Sequence, residues 1–534
     1  MAADLILRSA TVVDGTGSEP FTADVAVSGG RIVEIGDLRG RSAARVVDVD
    51  GRVICPGFID IHTHSDVSLL LDPAGESKVR QGVTTEVTGN CGFSAFPLSE
   101  DRLDLHADHL ARIGDDPVEL TWRTLDGYAS RLAGSPPALN VAPLVGHGTI
   151  RVAVMGVEQR RPTPDELDEM RRLVAQSLDD GAFGLSTGLT HIPSGYGDTD
   201  EVRELVRVVA SRGALYSTHC RESHGRGFPA IEEAIATCAD VGARLQFSHA
   251  AINEPGKWGR ASEAVALFEQ AEAAGLDVRF DVYPYDASSS SLTQYLPAWV
   301  QAGGTEEMRR LLSDPAVRER AERELAAGWM GGIPWFWDRV VISRSGPGRE
   351  DCVGLTIEQA AARARVDPVS FTLDLCLEHG NSVQVVLFYR TEADMTTFLA
   401  HRLSLVGSDG SAVPLDQRGL KPHPRGFGTF PRILGRYVRD QGLLTLAGAV
   451  HKMTGAVADR LQVRDRGRVT VGAYADLVVI DPASIADSAT FTEPAQPPVG
   501  VDYVLVNGDV CVDEGVQTAA RPGRLLRRER HVPA

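Results

Sequence analysis

Two histidines one residue apart, His62 and His64, close a short apolar run, Gly57-Phe58-Ile59-Asp60-Ile61. In an extended strand alternate side chains share a face, so Asp60, His62 and His64 point the same way. Two imidazoles at that spacing can grip one cation. Alone, a His-x-His carries a real false-positive risk. Its weight comes from what recurs along the chain. Thr88-Gly89-Asn90-Cys91-Gly92 offers a thiolate, Ser217-Thr218-His219 and Phe247-Ser248-His249 offer imidazoles, and Gly407-Ser408-Asp409-Gly410 offers a carboxylate. Taken singly, Cys91 reads as a buried structural cysteine and Asp409 as a turn residue. Each, however, closes a β-like run. Thiolate, imidazole and carboxylate gathered at strand ends are the ligand types of a metal site.

The elements that must bring these residues together are legible in outline. The middle of the chain alternates strand and helix. Thr163 is a plausible N-cap, Pro164 occupies the first helical position and Glu166 completes a capping box. Leu167, Met170, Val174 and Leu178 follow at helical spacing, and Gly181 ends the helix. A strand near 183–187 comes next. The unit recurs, with helices near 200–212, 228–241 and 260–274 leading to strands near 214–219, 243–249 and 277–283. Strands near 57–64, 84–88, 140–146 and 404–409 bring the number to eight, which predicts an α/β fold built on a TIM (β/α)8 barrel. Function then belongs at the C-terminal ends of the strands. A doubly wound sheet is the alternative, but no Gly-rich dinucleotide fingerprint follows the first strand.

Short β-like runs mark both chain ends, Leu5-Ile6-Leu7 and Val25-Ala26-Val27 early, Asp476-Leu477-Val478 and Val504-Leu505-Val506 late. We expect them to join in one small β-sandwich from residues 1–56 and 465–534, around a barrel of 57–464. Residues 287–345 fit no βα unit and are expected to form an insertion over the barrel mouth. Within them Ser288–Ser291 reads as a flexible loop. Trp329, Trp335 and Trp337 could wall an acyl pocket or fill the insertion's core.

The chain has 534 residues, 43% hydrophobic and 24% charged, with a net charge of −18. That length holds a barrel of roughly 250 residues and a companion domain. The charge argues against nucleic acid and anionic membranes as partners. No signal peptide or apolar stretch of membrane-spanning length is evident. Seven scattered cysteines fit a reduced cytoplasm. A small molecule is the expected partner, and a homo-oligomer remains open.

Further motifs give the set a family. They include Pro56-Gly57-Phe58-Ile59-Asp60 with His62-Thr63-His64, Thr88-Gly89-Asn90-Cys91-Gly92, Gly146-His147-Gly148-Thr149, Asp281-Val282-Tyr283-Pro284-Tyr285, His423-Pro424-Arg425 and Gly472-Ala473-Tyr474-Ala475-Asp476. Over nearly its whole length the chain resembles the amidohydrolase superfamily and, within it, the N-acyl-D-amino-acid deacylases, or D-aminoacylases. The resemblance implies a hydrolase of non-peptide C–N bonds that uses zinc. It implies that Cys91, His219 and His249 hold one zinc ion tightly. His62, His64 and Asp409 would line a second position, weakly occupied or empty in similar enzymes. Many superfamily members bridge two metals with a carbamylated lysine after the fourth strand. No lysine stands near Gly184–Leu189 here.

Zinc lowers the pKa of bound water from roughly 15.7 to about 7, and Asp409 is the expected general base that relays its proton to the leaving amine. Arg425 is the expected carboxylate clamp and Tyr283 its helper. Similar enzymes add a lysine two residues past the sixth-strand histidine, where this chain has Ala251. His191 stands where tyrosine is common, and either touches substrate or is a neutral replacement. Arg221, Glu222 and His224 fall in a loop that could line the pocket, Cys220 reads as core, and His147 as structural or supporting. The missing lysine keeps alive an alternative substrate class of carboxylate-free, cyclic or carbamoyl amides. A catalytically inert scaffold is the third reading, opposed by the intact ligand set.

Overall fold

Strands from the two chain ends share one hydrogen-bonded sheet. In this computed structural model, which describes residues 3–221, 227–330, 332–417 and 419–529, that sheet has nine strands. Ala3–Val12 pairs with Phe21–Ser28, Ala43–Asp48 and Val53–Pro56. Val53–Pro56 in turn lies antiparallel to Leu477–Ile480, so residues more than four hundred positions apart pair directly. Leu7, Val25, Val27 and Ile54 pack with Leu477, Val479 and Leu505 in one apolar cluster. The last described residues leave this sheet. Val141 N donates to Arg524 O and Leu526 N donates to Val141 O, which lays the C-terminal segment beside a strand of the central unit.

The central strands fall within a few residues of their expected places. They are Phe58–Asp60, Val83–Thr88, Asn140–Pro143 continued by Val145–Gly146, Gly184–Gly188, Leu215–His219, Arg244–Phe247, Val278–Val282 and Ser404–Val406, called here the first to eighth. Every neighbouring pair among them is parallel. At the other limit, Thr63 and Gly410 form a parallel bridge between the segments that follow the first and eighth strands. Gly57, just before the first strand, lies where a side chain could not: a Cβ there would sit 2.2 Å from Thr84. The helix Pro164–Asp179 carries the expected capping box of Thr163 and Glu166. Helices Thr199–Ala210, Gly227–Ala239 and Ala261–Ala273 separate the next strands.

Between the seventh and eighth strands the chain makes an excursion with its own core. It begins where expected but runs beyond residue 345. Ser288–Ser291 is not a loop but an edge strand. It pairs antiparallel with Gln384–Leu387, which pairs on its other side with Val340–Arg344. Because the middle strand comes last in sequence, the excursion closes only near Tyr389. Its apolar cluster holds Tyr295, Trp329, Phe371 and Tyr389, with Trp335 and Trp337 packed against it. Trp335 and Trp337 stack at 4.2 Å. The three tryptophans therefore serve the excursion's own packing, and only Trp329 also borders the cavity. Among the described residues no helix is long and apolar enough to cross a membrane.

Candidate metal centre

The ends of five central strands converge on one point. His62, His64, Cys91 and Asp409 place a ligand atom each within 4.8 Å of one another, and so do Cys91, His219 and His249. Cys91 belongs to both groups. Its Sγ lies 3.3 Å from His62 Nε2 and 3.6 Å from His249 Nε2. His249 Nε2 faces His219 Nδ1 at 2.9 Å. Asp409 Oδ1 lies 3.0 Å from His64 Nε2 and 3.4 Å from His62 Nε2. Cys91, His249 and Asp409 all have left-handed backbone, at φ of 52°, 35° and 54°. That conformation costs a non-glycine residue about 1–3 kcal/mol, and such strain gathers at functional sites.

Two residues that the sequence reading did not assign hold this geometry. Asp281 Oδ1 pairs with His62 Nδ1 at 3.1 Å and accepts from the His249 backbone N at 2.8 Å. Gln246 Nε2 donates to the other oxygen at 2.9 Å. A carboxylate on Nδ1 holds the proton there and orients the ring, so that a bound metal would displace the proton of Nε2 and take its lone pair. The sequence signal was there: Asp281 stands two residues before Tyr283 at the end of the seventh strand, the alternation already noted for Asp60, His62 and His64. On the far histidine Thr190 does similar work, its hydroxyl 2.7 Å from His219 Nε2.

The second is Lys78, fully buried, with its ammonium 2.9 Å from Asp60 and 2.8 Å from Glu86. It also donates to Ser408 Oγ and Gly410 O at 2.7 and 2.9 Å. Lys78 thus ties the residues either side of Asp409 to the first strand. Lys78→Met leaves two buried carboxylates without their cation. Breaking such a pair costs about 3–5 kcal/mol. We expect a lower unfolding midpoint in urea with an unchanged slope. A midpoint within error of the parent would show that the network contributes nothing.

A cavity of about 670 Å³ opens above the donors, and every candidate site residue except the deeper His62 borders it. His191 lies beside the centre, its ring 4.7 Å from that of His219 and 5.0 Å from Phe93. Burial pulls it down to about 4, so it is a neutral imidazole. Arg425 does not stand free as a clamp. Its Nη1 donates to Asp409 Oδ2 at 2.7 Å, and its guanidinium carbon lies 4.7 Å from the centre of the Tyr283 ring. Other expected residues lie aside. Cys220 is core. His147 is buried between Ser194 and Glu201 at 2.8 Å each, bracing the loop that carries His191. Arg221 is spent on Gly195 O and Gly197 O. Glu222 and His224 fall outside the described residues.

A family model described as the amidohydrolase family matches residues 45–512. The chain belongs to the amidohydrolase family. Within it, this amidohydrolase is 36% identical over 98% of its length to an N-acyl-D-glutamate deacylase of Alcaligenes xylosoxydans xylosoxydans, covering 97% of that protein. Its structure matches that of an N-acyl-D-glutamate deacylase of Bordetella bronchiseptica, complexed with zinc and a phosphonate mimic of the tetrahedral intermediate. The TM-score is 0.84 and the identity 33%, over 99% of this chain and all of that one. A D-aminoacylase with a binuclear metal centre matches with a TM-score of 0.82 at 36% identity, over 98% of this chain and all of that one.

The donors of this amidohydrolase suit a divalent cation of borderline softness. Burial pushes the Cys91 thiol up, but the charge of His62 and hydrogen bonds from His191, His219 and His249 hold it well below its usual range. Cysteine ligates as the thiolate. One thiolate with two imidazoles and room for a fourth ligand matches an open catalytic zinc site. His64 Nδ1 is buried without a hydrogen-bond partner among the described residues, a donor left over for a ligand.

Proposed function

We propose that the chain is a zinc-dependent hydrolase that cleaves the amide bond of N-acyl-D-amino acids, or closely related N-acyl compounds, through a metal-activated water. The observation that carries this reading is the sharing of Cys91 by two donor groups on the floor of a cavity that also holds Tyr283 and Arg425. The relatives above support the substrate class, since those named act on N-acyl-D-amino acids. Cys91, His219 and His249 would hold the main ion. His62, His64 and Asp409, with Cys91, would line a second position. The D-aminoacylase is described by one-metal activation and second-metal attenuation, which supports a single working ion.

Zinc, when bound, supplies Lewis acidity that acidifies water and polarises a carbonyl oxygen. Asp409 accepts the proton of the attacking water on its carboxylate and delivers it to the leaving nitrogen. Although burial acts to raise its pKa, Arg425, His62 and His64 hold Asp409 well below the usual carboxylate range, so it starts as the base. His191, neutral, lies beside the donors and would touch the substrate. Tyr283 faces the substrate's carboxylate, and Arg425 lies beside the tyrosine ring while paired with Asp409.

The same reading takes the eight parallel strands as a (β/α)8 barrel over residues 57–464. The sheet of residues 1–56 and 465–534 is its β-sandwich companion. Support comes from the parallel pairs of a three-stranded and a six-stranded sheet, which meet at Asn140–Pro143 and Val145–Gly146, and from the Thr63–Gly410 bridge between the segments after the first and eighth strands. Seven free cysteines support a reducing compartment, the cytoplasm.

A panel of N-acyl D- and L-amino acids and carboxylate-free amides tests the function, with zinc-loaded and chelated enzyme compared. We expect zinc-dependent amine release from the D-series. Release only from carboxylate-free or cyclic amides would move the enzyme to the alternative class that Ala251, in place of a lysine, keeps open.

A further inference from the structure

The cavity holds a second guanidinium beside Tyr283. Arg390 follows the middle strand of the excursion's sheet, and its guanidinium carbon lies 4.7 Å from the Tyr283 ring centre, the same distance as that of Arg425. Its Nε donates to Asn253 Oδ1 at 2.9 Å. Asn253 sits two residues past Ala251, so Arg390 is tied to the very loop that lacks the lysine. The two arginines differ in what they already hold. Arg425 pairs with Asp409 at 2.7 Å, whereas Arg390 has no carboxylate partner among the described residues. Arg344, also at the cavity, is taken by Asp116 at 2.5 Å. The Tyr283 hydroxyl is buried and has no hydrogen-bond partner among the described residues. A guanidinium without a carboxylate and a hydroxyl without a partner, side by side in a cavity, are what a carboxylate ligand would complete.

We propose that Arg390 is the main anchor of the substrate's carboxylate and supplies the charge that Ala251 does not. Tyr283 Oη donates to the same carboxylate, and Arg425 keeps Asp409 in place. This inference rests on the deacylase reading above. A lysine is a point charge on a flexible stem. An arginine held through Nε by Asn253 keeps its two Nη groups for bidentate recognition. The carboxylate recognised is the α-carboxylate of the amino acid or an acidic side chain, and the test separates the two.

Arg390→Ala and Arg390→Lys are assayed on N-acetyl-D-alanine, N-acetyl-D-glutamate and the carboxylate-free N-acetyl-D-alanine amide. A charge-assisted contact predicts a KM about ten- to hundredfold higher for N-acetyl-D-alanine in Arg390→Ala. The kcat should change less than about threefold, and the amide should be unaffected. Arg390→Lys should recover part of the loss, through its charge, but not the bidentate contact. A rise confined to N-acetyl-D-glutamate would assign Arg390 to the side-chain carboxylate. An unchanged KM on both acids, or an equal rise on the amide, overturns the inference while wild-type cleavage of the acids leaves the deacylase reading standing. Wild-type cleavage of the amide alone overturns both. Arg390 is only half-buried, so both variants should fold, and matched zinc content and unfolding temperature confirm that the comparison is fair.

Discussion

Asp409→Asn is expected to keep its zinc and to lose about a thousand- to ten-thousandfold in kcat. A positioned general acid or base is worth roughly 10²–10⁴ in rate. Here one carboxylate carries both proton transfers, so the upper part of that range applies. Asparagine has the same shape and keeps an oxygen for His64, which lies 3.0 Å from Oδ1. What it loses is the basic lone pair and the negative charge that Arg425 holds at 2.7 Å. The proposed main zinc ligands, Cys91, His219 and His249, are untouched. Steady-state kinetics beside metal analysis of the same sample decide the matter. Turnover within tenfold of the parent would remove Asp409 from proton transfer. Loss of the zinc would make it a ligand of the tight ion instead.

Cys91→Ala should have the largest effect on the metal itself. Its Sγ is common to both donor groups, so its loss leaves the main ion two imidazoles and removes the only thiolate from the second group as well. Zinc content should fall from about one per chain to near zero after gel filtration, and activity with it. The fold should survive. Alanine keeps the Cβ and adopts the same left-handed backbone, φ 52°, at no greater penalty than cysteine. Full retention of zinc would show that His62, His64 and Asp409 hold the ion without sulfur. It would also leave the buried thiolate unexplained.

What could be read from the chain alone was whatever neighbours in sequence decide. Side-chain alternation grouped His62 and His64, which meet at the centre although the strand itself ends at Asp60. The capping box of Thr163 and Glu166 closes across three residues, and it formed as expected. The βα rhythm located all eight central strands within a few residues, and with them the strand ends where Cys91, His219, His249 and Asp409 meet. These patterns depend on backbone geometry over one or two turns, which the residue types themselves impose.

Tertiary structure alone decided the pairings that cross the chain. Nothing local to Lys78 announces that it bonds Ser408, 330 positions away, and the alternation that singles out Asp281 does not say that its partner is His62, 219 positions away. The excursion's extent was hidden because its middle strand, Gln384–Leu387, comes last in sequence and shows its partners only when paired. Arg390 meets Asn253, two residues past Ala251, through a contact across 137 residues. An ion pair or a tautomer depends on distance through space. Packing of the whole chain sets that distance, so residue spacing could name the donors of this site but not what holds them in place.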